Sequence, residues 1–295
     1  MPQTLKNADK AIGTVFLSLG GNLAARVDGN TGKVKAVAKI EIDDIVRNAE
    51  ERRKLENRAA ITKTALDEIK EDPGPADAEG EIEDDWLNSF ARISEDKSSA
   101  DLQRLLGKIL AGEIRRPGSF SLRTLQFVST LSREEAEAIA SFFSYTLTGT
   151  YVPNFEEVGP DIETKILMEE LGIATTPSTM GGLSMSTEVS ANSQNITYGV
   201  GRAVQIQNAT GEDVFFEFSS QVLSTPAKEL YRIANPAPTK HEFMDKIAET
   251  IFQQLSAKHS NAIAADVLNV AIVDFETMSD GTYKTDLIYK LPKVC

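Results

Sequence analysis

Apolar positions recur at helical spacing through most of the first two-thirds of the chain. Over 33–71 the sequence is dense in charge and free of proline and glycine. In its second half Leu55, Ala59, Thr62, Leu66 and Ile69 follow one another at spacings of four and three, which places them on one helix face. Val37, Ile42, Ile45, Val46 and Ala49 form a similar stripe before it, and Glu50-Glu51-Arg52-Arg53-Lys54 interrupts the seam. So narrow a seam predicts one of two things. Either Leu55, Ala59, Thr62, Leu66 and Ile69 are a self-association face, or the long helix lies along its own globular body. Pro73, Gly74 and Pro75 end the helix, because proline lacks the amide donor and clashes with the preceding turn. The acidic stretch 72–85 reads as a linker.

A run of short helices follows. Trp86, Leu87, Phe90 and Ile93 share a face. Ser98 with Asp101 predicts a capping-box-like start to a helix whose core stripe is Leu102, Leu105, Leu106, Ile109 and Leu110. Arg115-Arg116-Pro117-Gly118 ends it. Leu122, Leu125, Phe127 and Val128 mark a further short helix, and Ser132 with Glu135 caps another through Ile139, Phe142 and Phe143. Residues 161–171 make one more, closed by Gly172. The Ser-, Thr-, Gly- and Asn-rich stretch 175–201 reads as long loops or irregular strands. Alternation in 204–207 and 214–218 around 208–213 predicts a β-hairpin, and Pro226 suits the first turn of a helix over 226–233. Near the end, Phe243, Ile247, Ile251 and Leu255 space a helix, and strands over 267–275 and 283–291 flank the turn pair Asp280-Gly281.

These elements predict an α+β chain, mostly helical over its N-terminal two-thirds, with a winged-helix-like body and a C-terminal helix plus β-hairpin. The expected organisation is a helical leader (1–71), an acidic linker (72–85), a helical core with a wing (86–235) and an α+β cap (236–295).

Composition narrows the function classes. In 295 residues, 31 Lys and Arg stand against 44 Asp and Glu, a formal charge of −13, so the chain repels polyanions on average. The one cysteine, Cys295, forms no internal disulfide or thiolate cage, which fits a reducing compartment. The uncharged stretch 11–25 is too short and too glycine-rich for a bilayer-spanning helix. It reads as a short buried helix over 12–19, with a membrane-surface helix or a signal peptide as the alternatives. The expected location is the cytoplasm.

The run Gly107-Lys-Ile-Leu-Ala-Gly-Glu113, followed by Pro117-Gly-Ser-Phe-Ser-Leu-Arg-Thr-Leu125, resembles an uncharacterised bacterial family, domain of unknown function 2806. Asp85-Trp86, Leu131-Ser132 and Asn57-Arg58-Ala59 fit the same pattern, and the resemblance spans roughly 30–235. The chain departs from it at Leu106-Gly107, where the family tends to carry Trp-Ala; the expected effect is weaker helix packing. The resemblance implies no catalytic residues. A looser similarity to abortive-infection proteins of the alpha type rests on Leu171-Gly172-Ile173 and on Leu223-Ser-Thr-Pro-Ala-Lys-Glu-Leu230, and it implies a winged-helix-like order of elements.

Gly112, Glu113, Arg115, Arg116, Gly118, Ser119 and Arg123 form the candidate site. In one reading Gly112 permits close backbone approach or a strained turn, a Glu113–Arg123 ion pair fixes the Pro117-Gly118 turn, and Ser119 or Ser121 caps the next helix. In the other, Arg123 and the amides after Gly118 hold a phosphate or carboxylate. Gly29-Asn-Thr-Gly-Lys33 and Gly199-Val-Gly201 lack the spacing of phosphate loops. His241, Glu242 and Asp245 lack the second histidine of a zinc helix, so His241 reads as a solvent-facing helix start. The acidic run 81–85 reads as solvated rather than cation-binding. No catalytic, cofactor or metal residues are expected. The predicted role is interaction with a protein partner or a second copy, with a phage-defence sensor or effector as one form. The runner-up is a DNA-binding regulator using Arg115, Arg116 and Arg123, or Arg52, Arg53, Lys54 and Arg58. An enzyme using carboxylates is third.

Overall fold

A computed structural model describes residues 3–17, 49–72, 80–155, 157–175, 183–278 and 282–292. The first stripe, Val37 to Ala49, and Cys295 therefore lie outside the described residues or their described side chains, as do the Gly29–Lys33 run and most of 72–79. The chain divides into two compact units, Met1–Ala136 and Glu137–Cys295. No helix among the described residues is long and apolar enough to cross a membrane.

The first unit is helical. It comprises α1 (Gln3–Leu17), α2 (Ala49–Glu71), α3 (Asp84–Asp96), α4 (Ala100–Arg115), α5 (Leu122–Thr130) and the start of α6 (Arg133–Phe143). α1 begins earlier than expected, and Ala8, Ala11, Ile12 and Val15 are buried as it packs on α3, α4 and α2. α2 lies along its own unit, against α4 and α3. Arg58, Ile61, Thr62 and Ala65 are its buried positions. Of the predicted stripe only Thr62 is buried; Leu55, Leu66 and Ile69 are half-buried and Ala59 is exposed. The inward face is thus rotated by about one residue.

Gly107 sets how closely α2 and α4 approach. A Cβ there would stand 2.5 Å from the Thr64 Cβ and 3.1 Å from the Ile61 carbonyl oxygen. The departure expected to weaken packing therefore makes this close crossing sterically allowed. Helix starts divide sharply. Ser132 and Glu135 form a full capping box, the Ser132 amide donating to Glu135 (2.7 Å) and the Glu135 amide to Ser132 Oγ (3.1 Å). The Ser98–Asp101 box is not formed. α4 starts after Ser99, whose side chain makes no cap bond, while the Gln103 amide group reaches back to the Lys97 carbonyl and fixes the entry instead. Residues 80–83 run extended against α1: Lys10 donates to the Ile82 carbonyl (2.6 Å) and pairs with Asp84 (2.9 Å), and Ile82 is fully buried.

The second unit contains β1 (Tyr151–Pro153), α7 (Ile162–Glu170), β2 (Ala174–Thr175), β3 (Leu183–Val189), β4 (Ser193–Tyr198), β5 (Arg202–Asn208), β6 (Val214–Leu223), α8 (Thr225–Ala234), α9 (His241–Ala264), β7 (Leu268–Thr277) and β8 (Tyr283–Leu291). One antiparallel sheet gathers β1, β2 and β3 on β6; the other has the order β4-β5-β7-β8. The hairpin expected around 208–213 does not form, because β5 and β6 pair in different sheets. Instead one long hairpin runs from β3 and β4 to β5 and β6, and turns at Gly199-Val200-Gly201.

The register shows this. Tyr198 faces Ala203 and Ser193 faces Asn208, whereas Val189 faces Val214 and Leu183 faces Ser220. The second arm thus carries two extra residues at a corner where both arms pass from one sheet to the other. The expected wing is a corner, and the Ser/Thr-rich stretch read as long loops or irregular strands supplies two regular strands. Asn208, 2% exposed, clasps the corner. Its amide donates to the carbonyls of Val189, Ser190 and Glu212, and its Oδ1 accepts from the amide and hydroxyl of Thr210. At the tip, Thr239 accepts from the Val200 amide and donates to the Ser144 carbonyl. α9 lays Phe243, Met244, Ile247, Ile251 and Leu255 inward, as spaced in sequence, against β5, β6 and β7.

Candidate functional site

The residues between α4 and α5 form a hydrogen-bonded polar turn in the helical unit. Arg116 to Ser119 make a β-turn closed by the Ser119 amide on the Arg116 carbonyl (3.1 Å), with Pro117 second and Gly118 third. Gly118 has φ +82°, which a type II turn demands at that place. This geometry directs two amides back toward the end of α4. The Gly118 amide donates to Glu113 Oε1 (2.6 Å) and the Phe120 amide to Oε2 (3.0 Å), with Glu113 only 2% exposed. The expected ion pair with Arg123 is absent, since Arg123 stands exposed on α5. Backbone donors at hydrogen-bond distance satisfy the carboxylate where a long surface cation would lose side-chain entropy. The anion at these amides is the protein's own.

Phe120 is held on three sides. Its amide meets Glu113, its carbonyl accepts from the buried indole of Trp86 (2.7 Å), and its ring rests on Gly112, where a Cβ would lie 2.7 Å from Cε2. Gly112 therefore serves the close approach expected of it. Trp86 in turn stacks on Phe90 at 5.2 Å between centroids. Ser121, not Ser119, caps α5, accepting from the Thr124 amide; the Ser119 hydroxyl donates to the Arg116 carbonyl (2.6 Å). Beside the turn opens a cavity of about 310 Å³. Trp86, Phe120, Pro117 and Leu122 supply its apolar walls, and Glu81, Glu83 and Glu113 its carboxylates. Leu122 is 46% exposed at the mouth.

The basic residues do not gather into one patch. Arg115 turns toward α2, donating to the Glu68 and Asp72 carbonyls at that helix's C-terminal end. Arg116 is exposed. Arg52 pairs with Glu56, and Lys54 with Glu50 and Glu95.

Arg58 is not on a basic face at all. At 1% exposure it donates to the Val15 carbonyl in the last turn of α1 (2.7 Å) and pairs with Glu95 in the last turn of α3. Burial pulls its guanidinium below the ordinary value, and Glu95 acts in the opposite sense. Asn57 beside it donates to the Glu95 carbonyl (2.7 Å) and accepts from Gln103. Sequence reasoning missed this buried network; its available signal was the Asn57-Arg58 pair of the family pattern. Elsewhere, His241 is exposed at the start of α9, as read from sequence, and His259 sits at a kink in that helix (φ −132°, ψ 40°). No group of metal-ligating side chains occurs among the described residues.

Residues 46–154 match the family model described as protein of unknown function (DUF2806). This is the family that the Ile109–Glu113 and Pro117–Ser121 motifs indicate, and the matched segment is shorter than the resemblance drawn from sequence. Asn57, Arg58, Trp86, Glu113, Gly118 and Phe120 all lie inside it, while Val15, which Arg58 reaches, lies outside. No curated protein and no solved structure matches the chain.

Proposed function

We propose that this is a non-enzymatic interaction protein whose docking site is the cavity beside the Pro117-Gly118 turn. The observation that carries the reading is the lining of that cavity: apolar walls from Trp86, Phe120, Pro117 and Leu122 meet the acidic side chains of Glu81 and Glu83. Such a lining suits an apolar side chain flanked by basic residues on a partner protein. Capture from the native host by tagged wild type and by Leu122→Asp and Glu83→Lys variants tests this. A partner retained by wild type and lost by both variants, with unchanged melting, is the expected outcome. Equal capture by all three proteins removes the cavity as the docking site. A place in bacterial phage defence is a narrower proposal, supported by the similarity to abortive-infection proteins. It predicts a lower phage plating efficiency on hosts carrying the gene than on deleted hosts, and equal plating rejects it.

A further inference from the structure

Strand β8 (Tyr283–Leu291) lies at the edge of its sheet, and among the described residues nothing pairs with its outer side. The hydrogen-bond phase of the hairpin identifies which backbone groups face that edge. The Met278 amide donates to the Thr282 carbonyl (2.7 Å), and the Phe275 amide points the other way, to Gly201 (3.1 Å). Pairs alternate along an antiparallel ladder. With Phe275 opposite Thr285 and Asp274 opposite Asp286, residues 284 and 286 bond to β7. The amides and carbonyls of Tyr283, Thr285 and Leu287 therefore point to the open edge.

The side chains along this edge complement themselves when the strand is reversed. Tyr283, Thr285 and Leu287 share one face, with Tyr283 52% and Leu287 60% exposed; Lys284 and Asp286 share the other. Placing a two-fold axis on Thr285 sets Tyr283 opposite the second copy's Leu287, Lys284 opposite the second copy's Asp286, and Thr285 opposite itself. Of these, Tyr283, Thr285 and Leu287 are also the positions whose backbone groups face outward. A two-fold on Asp286 would oppose aspartates, and one on Leu287 would oppose Lys284 with Lys290. The single chain also carries a like-charge cross-strand pair, Asp274 with Asp286, with Arg202 opposite Asp274 on its inner side and Lys284 of the same strand paired with Asp286 at 3.0 Å. The second copy's Lys284 would flank that pair from the outer side.

We propose that two copies of this chain pair antiparallel through β8 about Thr285, joining their four-stranded sheets into one. The inference stands apart from the cavity and concerns a second copy only. Light scattering and sedimentation of the full chain over a concentration series read it directly. Wild type is expected to dimerise. Thr285→Pro should be monomeric yet folded, because the amide it removes faces the open edge. Lys284→Asp and Asp286→Lys should each weaken the dimer by about tenfold or more in Kd, and the double exchange should restore it. Circular dichroism melting establishes that each variant is folded. Wild type that stays monomeric at its highest soluble concentration overturns the proposal. So does a dimer indifferent to Thr285→Pro, or single reversals that the double exchange does not rescue.

Discussion

Arg58 and Asn208 do the same task in the two units by different chemistry. Each is almost wholly buried, and each donates to backbone carbonyls where regular structure stops. The helical unit uses ions for this work. Arg58 serves the last turn of α1, Arg115 the last turn of α2, and Glu113 the amides just ahead of α5. The β unit uses neutral groups: Asn208 at the corner of the long hairpin and Thr239 at its tip. Helix dipoles add along the axis, so each end presents unsatisfied groups of one sign and suits the opposite charge. Strand dipoles alternate and nearly cancel, so a break in a sheet presents donors and acceptors together. An amide or hydroxyl, which both gives and accepts, fits that need without the cost of burying charge.

Five substitutions and one titration press on this contrast, from the largest expected effect to the smallest. Arg58→Met leaves the Val15 carbonyl without its donor and Glu95 with Lys54 alone, and should cost about 3 kcal/mol in denaturant unfolding. Hydrogen exchange should show the loss confined to the helical unit.

Tyr151 tests the neutral unit by pH. Burial pushes its hydroxyl up to about 12, from an ordinary value of 10.0. The folded state therefore favours the protonated form. The associated stability is whole below pH 10 and is lost as pH rises toward 12, by about 2.5 kcal/mol relative to Tyr151→Phe. Parallel alkaline unfolding curves for the two proteins would remove this term.

Glu113→Gln keeps the shape but turns a donor toward an amide, and should cost about 2 kcal/mol, read as a lower urea midpoint. Asn208→Ala removes the corner clasp without stranding a charge, and should cost about 1.5 kcal/mol, with faster exchange at residues 189–191 and 210–213. A cost above that of Arg58→Met would reverse the contrast. Ser132→Ala should lower stability by about 1 kcal/mol through its capping box, while Ser99→Ala should lie near zero.

What the sequence revealed tracks how local each feature is. The Ser132–Glu135 box, the inward stripe of α9 and the C-terminal strand pair all depend on neighbours a few residues away, and all were legible; the cap of α5 was narrowed to Ser119 or Ser121. Arg58 was not, because a cation within a charged run reads as solvent-facing until Val15 and Glu95 close over it. Two glycine-bearing stretches, 199–201 and 208–213, lie between the strands. Only pairing to β3 and β7 decides which closes the hairpin and which bends it. At the α4–α5 turn the motif was visible and its partner was misassigned: sequence offers Arg123 for Glu113, whereas the φ of Gly118 brings backbone amides there first.

The crossing of α2 and α4 carries a consequence for how related chains drift. The space missing at Gly107 is the space that Thr64 fills. A relative bearing alanine at the position of Gly107 must therefore hold a smaller residue at that of Thr64, or hold its two helices farther apart. The two positions are expected to change as a pair, and one substituted alone should be recovered in selection experiments through a second change at the other.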